Sequence, residues 1–303
     1  MEPKVSVIIP TYKRGDIFLK RAIDSVLKQT YPNIEIIIID DNANELLHDY
    51  RVSTKKVVKA YKDPNIIYMQ NAENLGGSLS RNEGIKFSSG EFITFLDDDD
   101  EYLPEKISNQ IEKMIKNEWD VSFTDLKICN EQGKTIDYRD YKKIKSFNKV
   151  DLIEYHLTRH ITGTPTFMYK KEILQSIGGF PDVKMGQEFY LMFNTIEADV
   201  NIGYIPSSGV IAYRHSSGGI SMGVNKIIGE KDLYTFKRSY FKRLSLRKRL
   251  FIKFRHHVVL AIAYKRNKML FSSIKNIGLA FLYSPLDSLI EFYCLTYKIV
   301  SKR

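Results

Sequence analysis

Glu91–Pro104, EFITFLDDDDEYLP, is the stretch on which the reading of this chain turns. Phe92, Ile93, Phe95 and Leu96 form an apolar run of strand length. The run stops in four successive carboxylates, Asp97, Asp98, Asp99 and Asp100, and no Lys or Arg lies between Lys86 and Lys106. Neighbouring carboxylates repel, so each resists ionisation unless a cation sits among them. Carboxylates at a strand end suit a divalent ion that keeps its waters and holds phosphate oxygens. The competing reading is an acidic turn before a helix that Pro104 would open. The surrounding sequence decides between them.

Upstream, Val5–Pro10 (VSVIIP) is a β-branched run that predicts a buried strand, and Ile34–Ile39 (IEIIII) predicts a second one ending in Asp40 and Asp41. Ile17, Leu19, Ala22, Ile23, Val26 and Leu27 fall at helical spacing between them. A more polar helix is expected over Asn44–Ala60, a strand over Asn65–Gln70 and a helix over Ser78–Phe87. Fourfold strand–helix alternation argues for an α/β domain with a mainly parallel central sheet. Three strands then end in polar tips: Pro10-Thr11-Tyr12, Asp40-Asp41 and Asp97–Asp100. In a parallel sheet these tips share one edge, where open α/β sheets bind ligands. That context favours the cation reading. Downstream, strands are expected at Trp119–Leu126, Thr166–Tyr169, Ile202–Ile205 and Val210–Tyr213, with Lys134–Asp137 returning as a hairpin and a helix over Gln187–Ala198.

The 303 residues suffice for one large domain, or a domain plus an appendage. Cys129 and Cys294 are too few and too far apart for a disulfide framework, which fits a reducing compartment. The opening MEPKVSVIIPTYKR has no signal-peptide layout, so a cytoplasmic location is expected. Charge is uneven: Lys231–Arg303 carries 17 Lys or Arg against three acids, whereas the preceding residues carry 29 basic and 33 acidic residues.

Five segments in order, VSVIIPTYKR, SVLKQTYPNIEIIIIDDNA, NLGGSLSRNEGI, GEFITFLDDDDEYLP and IGGFPD, make residues 4–221 resemble the family 2 glycosyltransferases. Those are inverting enzymes of the GT-A fold, acting in bacterial surface-polysaccharide assembly. The resemblance implies a nucleotide-sugar donor, Mg²⁺ or Mn²⁺, and transfer of one sugar to a hydroxyl of a saccharide or lipid-linked acceptor. It assigns the nucleotide pocket to Pro10, Thr11, Tyr12, Arg14, Asp41, Asn74, Gly76, Arg81, Asp97 and Asp98. Asp41 is the second acid of the DDxS-like pair that contacts the base, although Ala43 replaces the hydroxyl residue. A carboxylate there suits the N3–H of uracil and favours UDP. Arg81 pairs with the diphosphate or with the acidic cluster, whose planar partner it suits. Asp97 and Asp99 match the DxD motif, with Asp99 as direct metal ligand and His215 as a further metal or diphosphate contact. The general base is expected as the second acid of an ED pair after GGF. This chain reads Gln187-Glu188, so Glu188 takes the role and Asp182 is the fallback. Thr164, Gly179 and Gln187 are expected on the acceptor side.

On this reading residues 1–222 are the GT-A glycosyltransferase domain and 223–303 a C-terminal helical region. Tyr234–Arg255 interleaves aromatic with basic residues and predicts basic amphipathic helices. The longest uncharged stretch of the tail, Asn276–Leu286, is short of the ~20 residues a spanning helix needs. Peripheral contact with the inner face of the cell membrane is therefore expected; the alternative is a subdomain that packs on the core or mediates self-association. Two other functions compete. A sugar-phosphate nucleotidylyltransferase would need a Gly-rich phosphate loop after the first strand, which IPTYKRGD does not supply. An inactive saccharide- or nucleic-acid-binding protein would use the basic tail, but the acidic body offers no extended basic surface, so no nucleic-acid partner is expected.

Overall fold

A computed structural model describes residues 2–14, 16–183, 185–215 and 223–290. The chain divides into two compact units, Met1–Ile153 with Ile161–Val183 and Gln187–Ser216, and Glu154–His160 with Lys184–Gly186 and Ser217–Arg303.

The first unit opens with the expected alternation: β1 (Val5–Thr11), α1 (Asp16–Leu27), β2 (Ile34–Asp40), α2 (His48–Lys59), β3 (Ile66–Gln70), α3 (Gly76–Phe87) and β4 (Phe92–Phe95). There follow β5 (Glu101–Tyr102), α4 (Lys106–Lys116), β6 (Val121–Asn130), β7 (Thr135–Arg139), α5 (Lys149–Arg159), β8 (Met168–Lys170), α6 (Lys171–Ser176), α7 (Gln187–Glu197) and β9 (Ile202–Arg214). All nine strands join one sheet of order β3-β2-β1-β4-β8-β6-β9-β5, with β7 on β6. Its first half is parallel. β8 runs antiparallel to both β4 and β6, and β5 antiparallel to β9.

Register places the polar tips. β1 and β2 pair from Val5↔Ile34 to Thr11↔Asp40, so both strands finish level. β1 and β4 pair only from Val5↔Phe92 to Ile8↔Phe95, and β4 then leaves the sheet. Pro10, which has no N–H to give, lies beyond the last β4 partner. The chain winds outward from β1 to β3 and then returns to add β4 on the other side of β1. The acidic turn thus opens at the point where strand order reverses. One face of this half is packed by Leu19, Ala22, Ile23 and Val26 of α1, at helical spacing, against Val7 and Ile9. Ile202–Ile205 and Val210–Tyr213, expected as two strands, form the single strand β9; irregular pairing with β6 around Asp125 absorbs the intervening residues.

In the second unit α8 (Val224–Ser239) and α9 (Leu246–Arg266) meet at Ile227, Leu260 and Ala263, and α10 (Leu270–Tyr283) packs along α9. The interior also holds polar groups: His256 Nδ1 lies 3.0 Å from Glu230 Oε1, and the His256 ring stacks on Tyr234 at 4.0 Å. Among the described residues no helix is long and apolar enough to cross a membrane.

At the edge of the sheet opposite the polar tips, Glu35 joins three chain segments. Its buried carboxylate accepts from Ser6 Oγ at 2.6 Å, from Ser89 N and Oγ at 2.6 Å each, and from Lys4 Nζ at 2.8 Å. Burial alone would raise this carboxyl, but the hydrogen bonds from Lys4, Ser6 and Ser89 outweigh it and hold the group down to about 2. A depressed carboxylate stabilises the fold above its unfolded value and loses that contribution as pH falls toward the folded value. Glu35→Gln is therefore expected to cost about 3 kcal/mol at neutral pH. Urea unfolding of both proteins should show the gap narrowing between about pH 4.5 and 2; a gap independent of pH would mean that the charge contributes nothing.

Candidate active site

The acidic turn is held from three directions. Thr11 Oγ1, at the end of β1, donates to Asp98 Oδ2 at 2.7 Å, and Arg14 Nε reaches Asp98 Oδ1 at 3.3 Å while its Nη2 pairs with Asp99. Arg81 on α3 pairs with Asp97. Arg21 on α1 donates to the backbone carbonyl of Asp99 and lies over the Tyr213 ring at 3.8 Å. Tyr213 N, on β9, donates to Asp100 Oδ1 at 2.9 Å. Three arginines, Arg14 before α1, Arg21 within it and Arg81 on α3, thus supply the positive charge that the sequence around the turn lacks.

Burial is the first determinant of the electrostatics. It pushes Asp98 up to about 7, helped by the charges of Asp99 and Asp97 and opposed by the Thr11 hydrogen bond and Arg14. Burial and the neighbouring charges of Asp97 and Asp99 push Asp100 well above the usual carboxylate range. Asp99 is raised by burial and by Asp97. Asp97 is the open member, its side chain 37% exposed. The turn is held short of charge neutrality and would gain from further positive charge.

His215, at the end of β9, supplies a specific test of fit for a cation. Its Nε2 is buried, makes no hydrogen bond, and stands 3.2 Å from Asp99 Oδ2. Two neighbouring ligands of an octahedral ion, each at about 2.1 Å from it, stand about 3 Å apart. Among the described residues no three His, Cys, Asp or Glu side chains form a cage. An ion that keeps waters and phosphate oxygens needs only one or two protein ligands, and the Asp99–His215 pair fits that arrangement.

Asp41, read from sequence as a base contact, has its carboxylate engaged elsewhere. It accepts from Asn71 Nδ2 at 2.7 Å, Asn74 Nδ2 at 3.0 Å, Leu75 N at 2.8 Å and Gly76 N at 2.8 Å. It therefore fixes the loop that carries Asn74 and Gly76 into α3. Asp40 is likewise buried, accepting from Tyr68 Oη at 2.7 Å and Asn42 N at 2.9 Å. Tyr12 stays exposed at the mouth, beside Lys13 with its φ of 52°.

The opposite wall is the start of α7. Gln187 Oε1 accepts from Ser78 Oγ at 2.7 Å and Arg81 Nη1 at 3.1 Å. Arg81 thereby bridges Asp97 and α7. The next residue, Glu188, is half-buried in the first helical turn and, among the described residues, engages no hydrogen bond or ion pair. Beneath this wall Phe180 lies under the Arg81 guanidinium at 5.5 Å and meets Phe95 edge-on at 5.0 Å. Thr164 and Gly179 are both buried, and Asp182 is exposed. Sequence reasoning assigned no role to Arg21, Ser78, Phe180 or Tyr213. A signal for Arg21 existed: Arg14, Phe18 and Arg21 repeat at the spacing of one helix face.

A carboxylate turn thus stands at the switch point of an α/β sheet, faced by Glu188 on α7, which among the described residues makes no hydrogen bond or ion pair. The chain belongs to glycosyl transferase family 2, whose model matches residues 6–178. It is 31% identical over 179 residues to the uncharacterized glycosyltransferase MJ1057 of Methanocaldococcus jannaschii, a match covering 58% of this chain and 59% of that one. It is 29% identical over 221 residues to the Escherichia coli UDP-Glc:alpha-D-GlcNAc-diphosphoundecaprenol beta-1,3-glucosyltransferase WfgD, covering 72% of this chain and 79% of that one. In fold it is similar to the mannosyltransferase PcManGT of Pyrobaculum calidifontis, solved with GDP-Man and Mn²⁺, at a TM-score of 0.60 and 14% identity, over 98% of this chain and 80% of that one.

The GGF segment yields a direct test of the wall's construction. Gly179 has φ of 67°, and a Cβ there would lie 2.5 Å from Asn82 Oδ1, the atom that accepts from Phe180 N at 2.8 Å. Gly178 has φ of 79° but open space around it. Gly179→Ala is expected to cost about 3 kcal/mol, combining left-handed strain with overpacking, and Gly178→Ala only about 1 kcal/mol from strain. Denaturant unfolding of the two variants checks this; equal costs would show that the Asn82 contact yields freely.

Proposed function

We propose that this glycosyltransferase is a metal-dependent inverting enzyme that moves a sugar from UDP to a hydroxyl of a saccharide, with a lipid-linked saccharide of surface-polysaccharide assembly as acceptor. One observation carries the reading: Arg81 joins the acidic turn at Asp97 to the N-terminus of α7, where Glu188 has no partner among the described residues. The relative whose printed name specifies UDP-Glc and a diphosphoundecaprenol acceptor supports the choice of donor and acceptor class.

Pro10, Thr11, Tyr12 and Arg14 line one side of the nucleotide pocket, and Asp41 builds its base end by ordering Asn74 and Gly76. Arg14 and Arg81, each already paired with carboxylates of the turn, are the groups able to turn toward a diphosphate. Asp99 and His215 would hold Mg²⁺ or Mn²⁺, with Asp97 and Asp98 beside them. The cation, when bound, neutralises charge accumulating on the departing diphosphate oxygen. Glu188 accepts the proton of the acceptor hydroxyl as that oxygen forms its bond to the anomeric carbon. The bond from that carbon to the diphosphate oxygen breaks on the opposite face, so configuration inverts. Gln187 faces the acceptor, while Thr164 and Gly179 shape that side from beneath.

Gln187 in place of the usual acid follows from the same geometry. Its carbonyl accepts from Arg81 without adding a further negative charge beside Asp97.

Glu188→Gln is expected to lower kcat by about 10²- to 10⁴-fold with the donor KM little changed, because only proton removal is lost. Asp99→Asn should abolish the rise in melting temperature that Mn²⁺ and a UDP-sugar together produce. Assaying transfer and thermal shift across UDP-, GDP- and dTDP-sugars decides the donor. Full turnover in Glu188→Gln would overturn the assignment of the base.

A further inference from the structure

We propose that the outer face of α10 is a docking surface for an anionic lipid bilayer. It rests on the lipid-linked acceptor reading only in giving the enzyme a reason to be at a membrane.

Within the helical unit α9 and α10 pack against each other as a hairpin, with contacts pairing late α9 with early α10. Ser273 Oγ donates to the Ala261 carbonyl at 2.9 Å, His257 Nδ1 lies 2.8 Å from Asn276 Oδ1, and the His257 ring stacks on Tyr283 at 5.4 Å. The inward face of α10 is thus small and polar: Ser273, Asn276 and Ala280 are its buried residues. The opposite face is apolar and open. Phe271 is 85% exposed and Leu282 75%, and Ile274, Ile277 and Phe281 are exposed between them. This reverses the usual arrangement, in which the apolar stripe of a surface helix faces the core. A contiguous exposed apolar face of this kind marks an interaction surface. Residues 285–290 are helical again and expose Leu286, Leu289 and Ile290. The rest of the apolar Leu286–Leu295 segment lies outside the described residues.

Charge selects the occupant. Lys265, Arg266 and Lys268 at the hairpin tip are exposed, and Lys275 stands on α10 itself. Between Lys231 and Ile290 the only acids are Asp232 and Asp287. A second copy would bring the same positive charge against this face, whereas anionic headgroups bring the opposite charge and their acyl chains accept the side chains. Among the described residues no helix is long and apolar enough to cross a membrane, and on this proposal α10 lies in the interface plane. The structure also moves the surface expected from sequence. Leu244 and Phe254 of the Tyr234–Arg255 stretch are buried in the unit, so the open stripe is α10.

The test is co-sedimentation of the full chain with vesicles of phosphatidylcholine alone or mixed with phosphatidylglycerol, at low and high salt. The protein is expected to bind the mixed vesicles and to weaken with salt. The combined Phe271→Asp, Ile274→Asp and Phe281→Asp variant should bind at least about tenfold more weakly. The combined Lys265→Gln, Arg266→Gln and Lys268→Gln variant should lose about a hundredfold at low salt. Sugar transfer to a soluble acceptor and the oligomeric state are measured on the same samples. Wild-type-like vesicle binding by either variant overturns the proposal. So does absence of vesicle binding together with a dimer that the aspartate variant dissociates, which would assign the face to a second copy. Vesicle binding without transfer activity would sink the enzymatic reading and leave this one standing.

Discussion

Four carboxylates on consecutive residues at the end of a buried strand are unstable unless something binds them, and much of the first unit meets that constraint. The turn cannot supply its own cations: no Lys or Arg lies between Lys86 and Lys106, and burial drives the Lys106 ammonium well below its ordinary value. Positive charge therefore comes from elsewhere in the sequence: Arg14 before α1, Arg21 within it and Arg81 on α3. The short β1–β4 pairing opens the space, and β9 reaches the turn with Tyr213 N and His215. Every group is placed by an element that has its own reason to be there, through the packing of α1 and the pairing of β1 with β2.

The arginines leave the turn with unspent affinity for cations. Burial and mutual repulsion raise Asp98, Asp99 and Asp100 even with the arginines present. A site in this condition favours whatever brings positive charge. Arg81 is the member whose sharing has the widest reach, since its guanidinium also touches Gln187 at the start of α7. The acidic turn is thereby linked to the residue next to Glu188. The aromatic support from Phe180, itself seated on Phe95, keeps that guanidinium over a fixed platform.

What was legible in the sequence follows from the range of the interactions involved. The isoleucine-rich runs at Val5–Pro10 and Ile34–Ile39 announce buried parallel strands because burial on both faces demands apolar residues throughout. The level polar tips then follow from the parallel register. The pairing of Arg81 with the acidic cluster was also readable, since a planar fork and an unneutralised set of carboxylates suit each other. The engagement of Asp41 was not: its donors include the backbone N–H groups of Leu75 and Gly76, which every sequence possesses. Arg21 was obscured because a basic residue on an amphipathic helix reads as solvated until the turn of the chain brings Asp99 to it. The continuity of β9 was hidden by Pro206, Ser207, Ser208 and Gly209, which locally signal a break and are carried through by irregular pairing with β6.

The helical unit shows the limit of periodicity as a guide in a sharper form. A hydrophobic stripe indicates that a helix has an apolar face, not that the face is turned inward. In α10 the inward contacts are made by Ser273, Asn276 and Ala280, residues that permit close approach and hydrogen bonding but little hydrophobic gain. The hairpin is held by that polar seam and by the His257–Tyr283 stack, while the largest apolar side chains of α10 stay mostly on the open side. The open apolar face of α10 sits in a segment that is also strongly basic, with Lys265, Arg266 and Lys268 exposed at the hairpin tip.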